Sequence, residues 1–112
     1  MKNMGWRVKF FQTSRGDYPV KEFIGEQNEA TYAKIIHAIG LLATNGPYLK
    51  PPYIKKFYQK LYELRISGKI AVRIFYSVFK GEYYLLHAFK KKTEKTPKKE
   101  LKIALDRMKE LI

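Results

Sequence analysis

The chain has 112 residues, 46% hydrophobic and 15% aromatic, a composition that favours folding over disorder and a length that allows one modest core over residues 1–112 rather than two. A formal net charge of +13 exceeds what solubility needs and points to a polyanionic partner: nucleic acid or an acidic protein first, an anionic membrane surface behind them. With no cysteine, disulfides, thiolate metal sites and cysteine nucleophiles are excluded, and His37 and His87 lie too far apart for metal-ligand spacing, so neither metal nor cofactor is expected.

The N-terminus lacks a long apolar segment, and no apolar run approaches the ~20 residues of a membrane span, so a cytoplasmic protein without membrane attachment is expected. From Trp6 to Gln12, apolar and basic residues alternate as in a strand, and Thr13-Ser14-Arg15-Gly16-Asp17 is a turn cluster. Pro19 opens a short helix that carries Val20, Phe23 and Ile24 on one side and ends at Gly25; Tyr18 is a poor cap for it, and Asp17 is placed to assist. A second helix starts at Glu29 after the capping residue Asn28. Its apolar stripe is Tyr32, Ile35, Ile36, Ile39, Leu42 and Ala43, with His37 off the stripe, and Asn45-Gly46-Pro47 closes it.

Between Tyr48 and Gln59, Pro51-Pro52 predicts an extended connection rather than a regular element. Its aromatics Tyr48, Tyr53, Phe57 and Tyr58 interleave with Lys55 and Lys56, a mixture that serves equally for stacking on RNA bases or for a half-buried loop. A β-meander follows: strands over 61–66, 70–79 and 83–89, joined at Ser67-Gly68-Lys69 and Lys80-Gly81-Glu82. Alternation sorts Tyr62, Leu64 and Ile66 from Glu63 and Arg65 in the first of these strands and Val72, Ile74 and Tyr76 from Ala71, Arg73 and Phe75 in the second, and puts His87, Phe89 and Lys91 on one face if the pleat continues past Ala88. Thr96-Pro97 starts a C-terminal helix with the stripe Leu101, Ala104, Leu105, Met108 and Leu111.

Two clusters bear on chemistry. From Lys90 to Lys102 there are seven lysines against Glu94 and Glu100, a cationic tip on the end of a strand. Arg65 and Arg73 sit inside strands apolar enough to be core elements. If their faces agree they form a cationic patch on a rigid sheet, joined by His87 and Lys91, able to stabilise the extra charge of a phosphorane. RNA brings its own nucleophile, the 2′-hydroxyl, so such a site needs a base, an acid and charge stabilisation but no metal. His87 has an ordinary pKa of ~6.5, and a lysine crowded by cations, Lys91 or Lys92, is the other candidate base. The plainer alternatives are a solvated lysine loop and surface pairs Arg65–Glu63 or Arg73–Glu82.

The run Leu61-Tyr62-Glu63-Leu64-Arg65, then Arg73-Ile74-Phe75-Tyr76, then Leu85-Leu86-His87-Ala88-Phe89 and the tip through Lys91-Lys92-Thr93-Glu94-Lys95-Thr96-Pro97 resembles the RelE/HigB toxin superfamily, in particular its phage-derived HigB-like branch. The resemblance spans nearly the whole chain. It implies an α+β fold of order β-α-α-β-β-β-α, in which an antiparallel sheet (first strand plus three-stranded meander) is packed by two N-terminal helices and one C-terminal helix. It also implies the toxin of a type II toxin–antitoxin pair, a metal-independent, ribosome-dependent endoribonuclease that cuts mRNA in the A site and is held inactive by a helix-turn-helix antitoxin. By position, Arg65 and Arg73 match the family's basic strand residues and Lys91 and Lys92 its basic tip. With His87 these are the candidate catalytic residues, Arg73 foremost. Lys55, Lys56, Lys90, Lys95, Lys98 and Lys99 are the candidate RNA- and ribosome-binding residues. The C-terminal helix closes on Leu111-Ile112, with no late tyrosine to act as a base. A gyrase-targeting ParE-like toxin on the same fold, and a non-catalytic phage RNA-binding protein, are the alternatives.

Overall fold

The computed structural model describes residues 5–111, built on a five-stranded sheet in the order β1-β5-β4-β3-β2. The strands are β1 (Val8–Phe10), β2 (Ile54–Tyr58), β3 (Leu61–Ile66), β4 (Val72–Phe79) and β5 (Glu82–Lys90); the helices are α1 (Pro19–Gly25), α2 (Glu29–Asn45) and α3 (Lys98–Lys109). The α+β architecture is the expected one. In two respects the sheet departs from expectation: β1 runs parallel to β5, which makes the sheet mixed, and β2 adds a strand where a connection was predicted, so the order is β-α-α-β-β-β-β-α. The prolines do end regular structure, but only through Pro52. Beyond them Ile54 and Phe57 reach the core while Lys55, Lys56 and Tyr58 stay exposed, the charged composition of a protected sheet edge.

The hairpin from β4 to β5 turns on Lys80 and Gly81, with φ of 52° and 79°; two successive positive φ values suit the right-handed twist of the flanking strands, and glycine takes the second at no steric cost. On one face of the sheet, α1 and α2 cover a core of Leu64, Ile66, Val72, Ile74, Tyr76 and Leu85. On the other, α3 lays Leu101, Ala104, Leu105 and Met108 over Phe11, Leu61, Phe75, Leu86 and Phe89. The alternation read along β3 and β4 is thus the observed division of faces.

Helix α2 begins as expected, with the Asn28 side chain accepting from the Thr31 amide at 2.8 Å. Of the predicted stripe Ile35 and Leu42 are buried and Ile39 packs on the core, joined by Thr31 and Ala38, whereas Tyr32 and Ile36 lie exposed. The small Thr31 and Ala38 let the helix backbone approach the sheet, rotating the larger residues outward. Trp6 packs so closely on Gly46 that a Cβ there would lie 2.3 Å from the indole ring. The first strand is shorter than predicted, and Tyr18 precedes α1 without any side-chain cap. Thr96 does not cap α3 either; Pro97 occupies that position, and the Thr96 hydroxyl is engaged elsewhere. Ile112 lies outside the described residues.

Candidate active site

Strand register places the charged residues on the α3 face of the sheet. Arg65 and Arg73 are direct partners across β3 and β4, and Arg73 in turn opposes Phe89 on β5. The next row holds Glu63, Phe75 and His87. Lys55 on β2 opposes Glu63, which brings its side chain to the same face. The pleat extends one residue past β5, where the Lys91 amide donates to the Ala71 carbonyl at 2.9 Å.

Two guanidiniums facing each other across a ladder repel, and here a carboxylate relieves the repulsion. Glu63 is only 1% exposed; its Oε1 lies 3.6 Å from Arg65 Nε and 3.8 Å from Arg73 Nε. Its Oε2 accepts a 3.0 Å hydrogen bond from Thr96 Oγ1, tying the lysine tip to the sheet. Arg73 is the more enclosed of the pair. Burial lowers its pKa from the ordinary arginine value, Glu63 opposes that shift and Arg65 adds to it. Its Nη1 donates to the Val72 carbonyl at 3.1 Å, while its buried Nε has no hydrogen-bond partner and faces Glu63 by charge alone.

A cleft of about 320 Å³ opens in front of this cluster, lined by Lys55, Phe57, Glu63, Arg65, Lys91, Glu94, Lys95 and Thr96. Lys91 Nζ donates to the Glu94 carbonyl at the rim. Four cations against two carboxylates, one of them buried behind the arginines, make this an anion site. Arg73 stands behind Arg65 rather than in the cleft wall, so Arg65 is the guanidinium that a phosphate would meet first.

His87 occupies different ground. Under α3, its Nε2 lies 2.6 Å from Glu100 Oε1 and its Nδ1 3.4 Å from Arg107 Nη1, and Arg107 also donates to the Leu86 carbonyl at 2.8 Å. These partners assign the neutral tautomer with the proton on Nε2, donating to Glu100 while Nδ1 faces the guanidinium. Burial, partly opposed by Glu100 and reinforced by Arg107, holds its pKa below the ordinary histidine value. Phe89 and Phe75 separate it from the arginines, with His87 stacked on Phe89 at 5.8 Å. Both ring nitrogens are occupied within the fold, and the imidazole does not open into the cleft.

The remaining lysines divide by geometry. Lys56 opposes Tyr62 on the α2 face, its Nζ 6.0 Å from that ring, and so points away from Lys55. Lys90 and Lys92 line a neighbouring cleft with Phe23, Phe89 and Glu100. Lys98 and Lys99 are exposed at the start of α3. Among the described residues no group of three or more His, Asp or Glu side chains is placed to hold a metal ion, and no helix is long and apolar enough to cross a membrane.

The model of one protein family, described as Phage derived protein Gp49-like (DUF891), matches residues 22–109. The chain belongs to that family. Comparison with curated proteins gives no match. The Gp49-like family is RelE/toxin-like, in keeping with the mixed sheet packed by three helices seen here. The matched region takes in β2 to β5, the lysine tip and α3, and therefore every residue of the cleft. The sequence of this Gp49-like chain predicts Glu63 only as a surface partner of Arg65, Phe57 only as one of four aromatics suited to stacking or to a half-buried loop, and Thr96 only as a helix cap. The Arg65–Glu63 pair is present but Glu63 is buried, and Arg73 pairs with Glu63 rather than Glu82. A signal for Glu63 was present: an acidic residue at an inward position of an apolar strand, two before Arg65, needs a cationic partner to be buried. Thr96 carried none, because its partner is remote in sequence.

Proposed function

We propose that this Gp49-like protein is the toxin of a type II toxin–antitoxin pair and cleaves mRNA on the ribosome by attack of the RNA's own 2′-hydroxyl. The observation that carries the reading is the guanidinium pair held by buried Glu63 behind a cleft walled by Lys55, Arg65, Lys91 and Lys95. In this reaction the 2′-oxygen bonds to phosphorus as its proton leaves to a base. The bond to the 5′-oxygen breaks as that oxygen is protonated, leaving a 2′,3′-cyclic phosphate and a 5′-hydroxyl. The phosphorane on the way carries additional negative charge, which Arg65 is placed to meet with a planar, two-pronged contact and Arg73 supports from behind. In this reading Lys91, at the rim of the same cleft, takes the proton-transfer role, and Lys55 and Lys95 hold the flanking phosphates; their support is that all three line the cleft. Phe57 offers a ring at the cleft wall for a base.

The same surface accounts for an inhibitor. A chain of net charge +13 with an open cationic cleft attracts an acidic segment, the role we assign to a helix-turn-helix antitoxin encoded alongside. Primer extension on a translated reporter mRNA after induction tests the proposal. Cuts should appear within the translated region and vanish when initiation is blocked. Intact mRNA with accumulating gyrase–DNA adducts would replace this reading with the ParE-like one.

A further inference from the structure

Glu63 is the least expected charge in the molecule. It is 1% exposed on a central strand, in the row beside Phe75, at the edge of an apolar core. A buried carboxylate persists where it is paired and hydrogen-bonded, and Glu63 has three partners from three elements: Arg65 on its own strand, Arg73 on β4 and Thr96 on the loop before α3. Both arginines turn their Nε end toward it. The partner from the loop is the last residue before Pro97, and between it and the end of β5 lie Lys91, Lys92 and Lys95. One carboxylate therefore touches the two cationic groups of the sheet and the anchor of the cationic loop.

We propose that Glu63 is a positioning residue for RNA cleavage: its charge holds the opposed guanidiniums of Arg65 and Arg73 in one fixed arrangement, and its second oxygen, through Thr96, pins the lysine tip over them. This rests on the endonuclease reading above. Glu63 does not touch the RNA, and as a carboxylate at a phosphate site it would repel it. Its place behind the arginines gives it leverage through them. Without the negative charge, two guanidiniums in direct cross-strand register have no neutralising partner and separate. Without the Thr96 contact, the stretch bearing Lys91 and Lys95 loses its tie to β3. A preorganised anion site becomes a set of independent cations, and preorganisation is what distinguishes catalysis from binding.

The test uses the full chain with ribosomes and mRNA, and NMR on the free protein. Glu63→Gln keeps an oxygen for Thr96 and removes the charge; Glu63→Asp keeps the charge and withdraws it by one methylene. Thr96→Val removes only the tether. For Glu63→Gln, kcat should fall about 10²-fold with KM little changed, since ordering rather than binding is lost. Glu63→Asp should recover part of the rate, and Thr96→Val should lose less than Glu63→Gln. Glu82→Gln, which removes a carboxylate at the far edge of the sheet beside Lys9 and Arg7, should cleave like the parent.

Nitrogen-15 spectra of the arginine Nε–H groups give a readout independent of cleavage. Arg65 and Arg73 should show slowly exchanging signals in the parent that move to free-arginine positions in Glu63→Gln while core methyl signals stay put. Should Glu63→Gln not fold, Glu63→Asp and Thr96→Val carry the same two measurements. Parent-like kcat together with unmoved Nε–H signals would overturn the proposal. A parent that cleaves no mRNA yet shows the Nε–H changes would instead overturn the endonuclease reading and leave the positioning of the arginines standing.

Discussion

The two faces of the sheet are made by the same strands, yet they do different things. The face beneath α1 and α2 is apolar across β3, β4 and β5, with Leu64, Ile66, Val72, Ile74, Tyr76 and Leu85 packed under long helical cover. The opposite face has an equally apolar centre in Leu61, Phe75, Leu86 and Phe89, but its cover is α3 alone, twelve residues or about 18 Å of helix. Toward the start of that helix the residues on the sheet change from leucine and phenylalanine to the buried Glu63, the enclosed Arg73 and the partly open Arg65. The proposed chemistry lies where a rigid sheet runs out from under its helix. The apolar rows behind supply the rigidity, and the missing helix supplies the access.

The strongest way to break this comparison is a reciprocal pair of substitutions. Leu85→Ala, fully buried on the α2 face, should cost about 2–5 kcal/mol in denaturant or thermal melts while the folded fraction cleaves normally. Arg65→Ala should do the reverse, a loss of about 10²–10³ in kcat with a melting curve close to the parent's, because its side chain is partly exposed and Glu63 keeps Arg73 as partner. Arg65→Lys should rescue only in part, an ammonium lacking the planar fork. Arg73→Ala should cost less rate than Arg65→Ala, since it acts from the second position. The comparison fails if Leu85→Ala lowers specific activity as much as Arg65→Ala.

A smaller effect sharpens the division within the α3 face, between the covered histidine and the partly open Arg65. His87 has its pKa lowered by burial, so the unfolded chain binds a proton more readily than the folded one as pH falls below the ordinary value of ~6.5. Stability should be at its full value above that pH and decline below it, by no more than about 1.4 kcal/mol per pH unit from this one proton, until the folded histidine also titrates. His87→Gln, which keeps a donor for Glu100 without titrating, should flatten the melting-temperature profile just below pH ~6.5. An unchanged slope would mean that the buried arrangement with Glu100 and Arg107 does not govern it.

The smallest effect is also the most specific. Lys55 and Lys56 are neighbours in sequence on opposite faces of β2. Lys55→Ala should reduce the slope of log Kobs against log salt for single-stranded RNA by roughly 0.7, one phosphate contact, and Lys56→Ala should leave it unchanged. Equal slopes for the two variants would place the RNA elsewhere than in the cleft.

Much of this was legible before folding. Alternation sorts Arg65 from Leu64 and Ile66 within β3, and Arg73 from Val72 and Ile74 within β4, because the strand repeat is a local property of the backbone; that the two arginines meet on one face is set by the register between the strands. The caps and closing residues of α2, and the stripe of α3, are local in the same way. Three things were not. β1 pairs with β5 in parallel, Val8 against Tyr83, and no short-range pattern reports a contact so distant along the chain. Residues 54–58 offer only Ile54 and Phe57 to the core, too little apolar content to announce a strand after two prolines; β3 organises them by hydrogen bonding. His87 lies on the same face of the sheet as the arginines, yet a helix that follows in sequence covers it while Arg65 stays partly open, so its surroundings come from packing. The sequence by itself determined which residues carry charge, where the helices and the meander lie, and which residues within one strand share a side, since each follows from backbone periodicity and side-chain chemistry within a few residues. Only the tertiary structure decided which of those charges meet: a buried carboxylate gains its partners from strands and loops brought together by burial of the apolar rows between them, and that burial is a property of the whole chain.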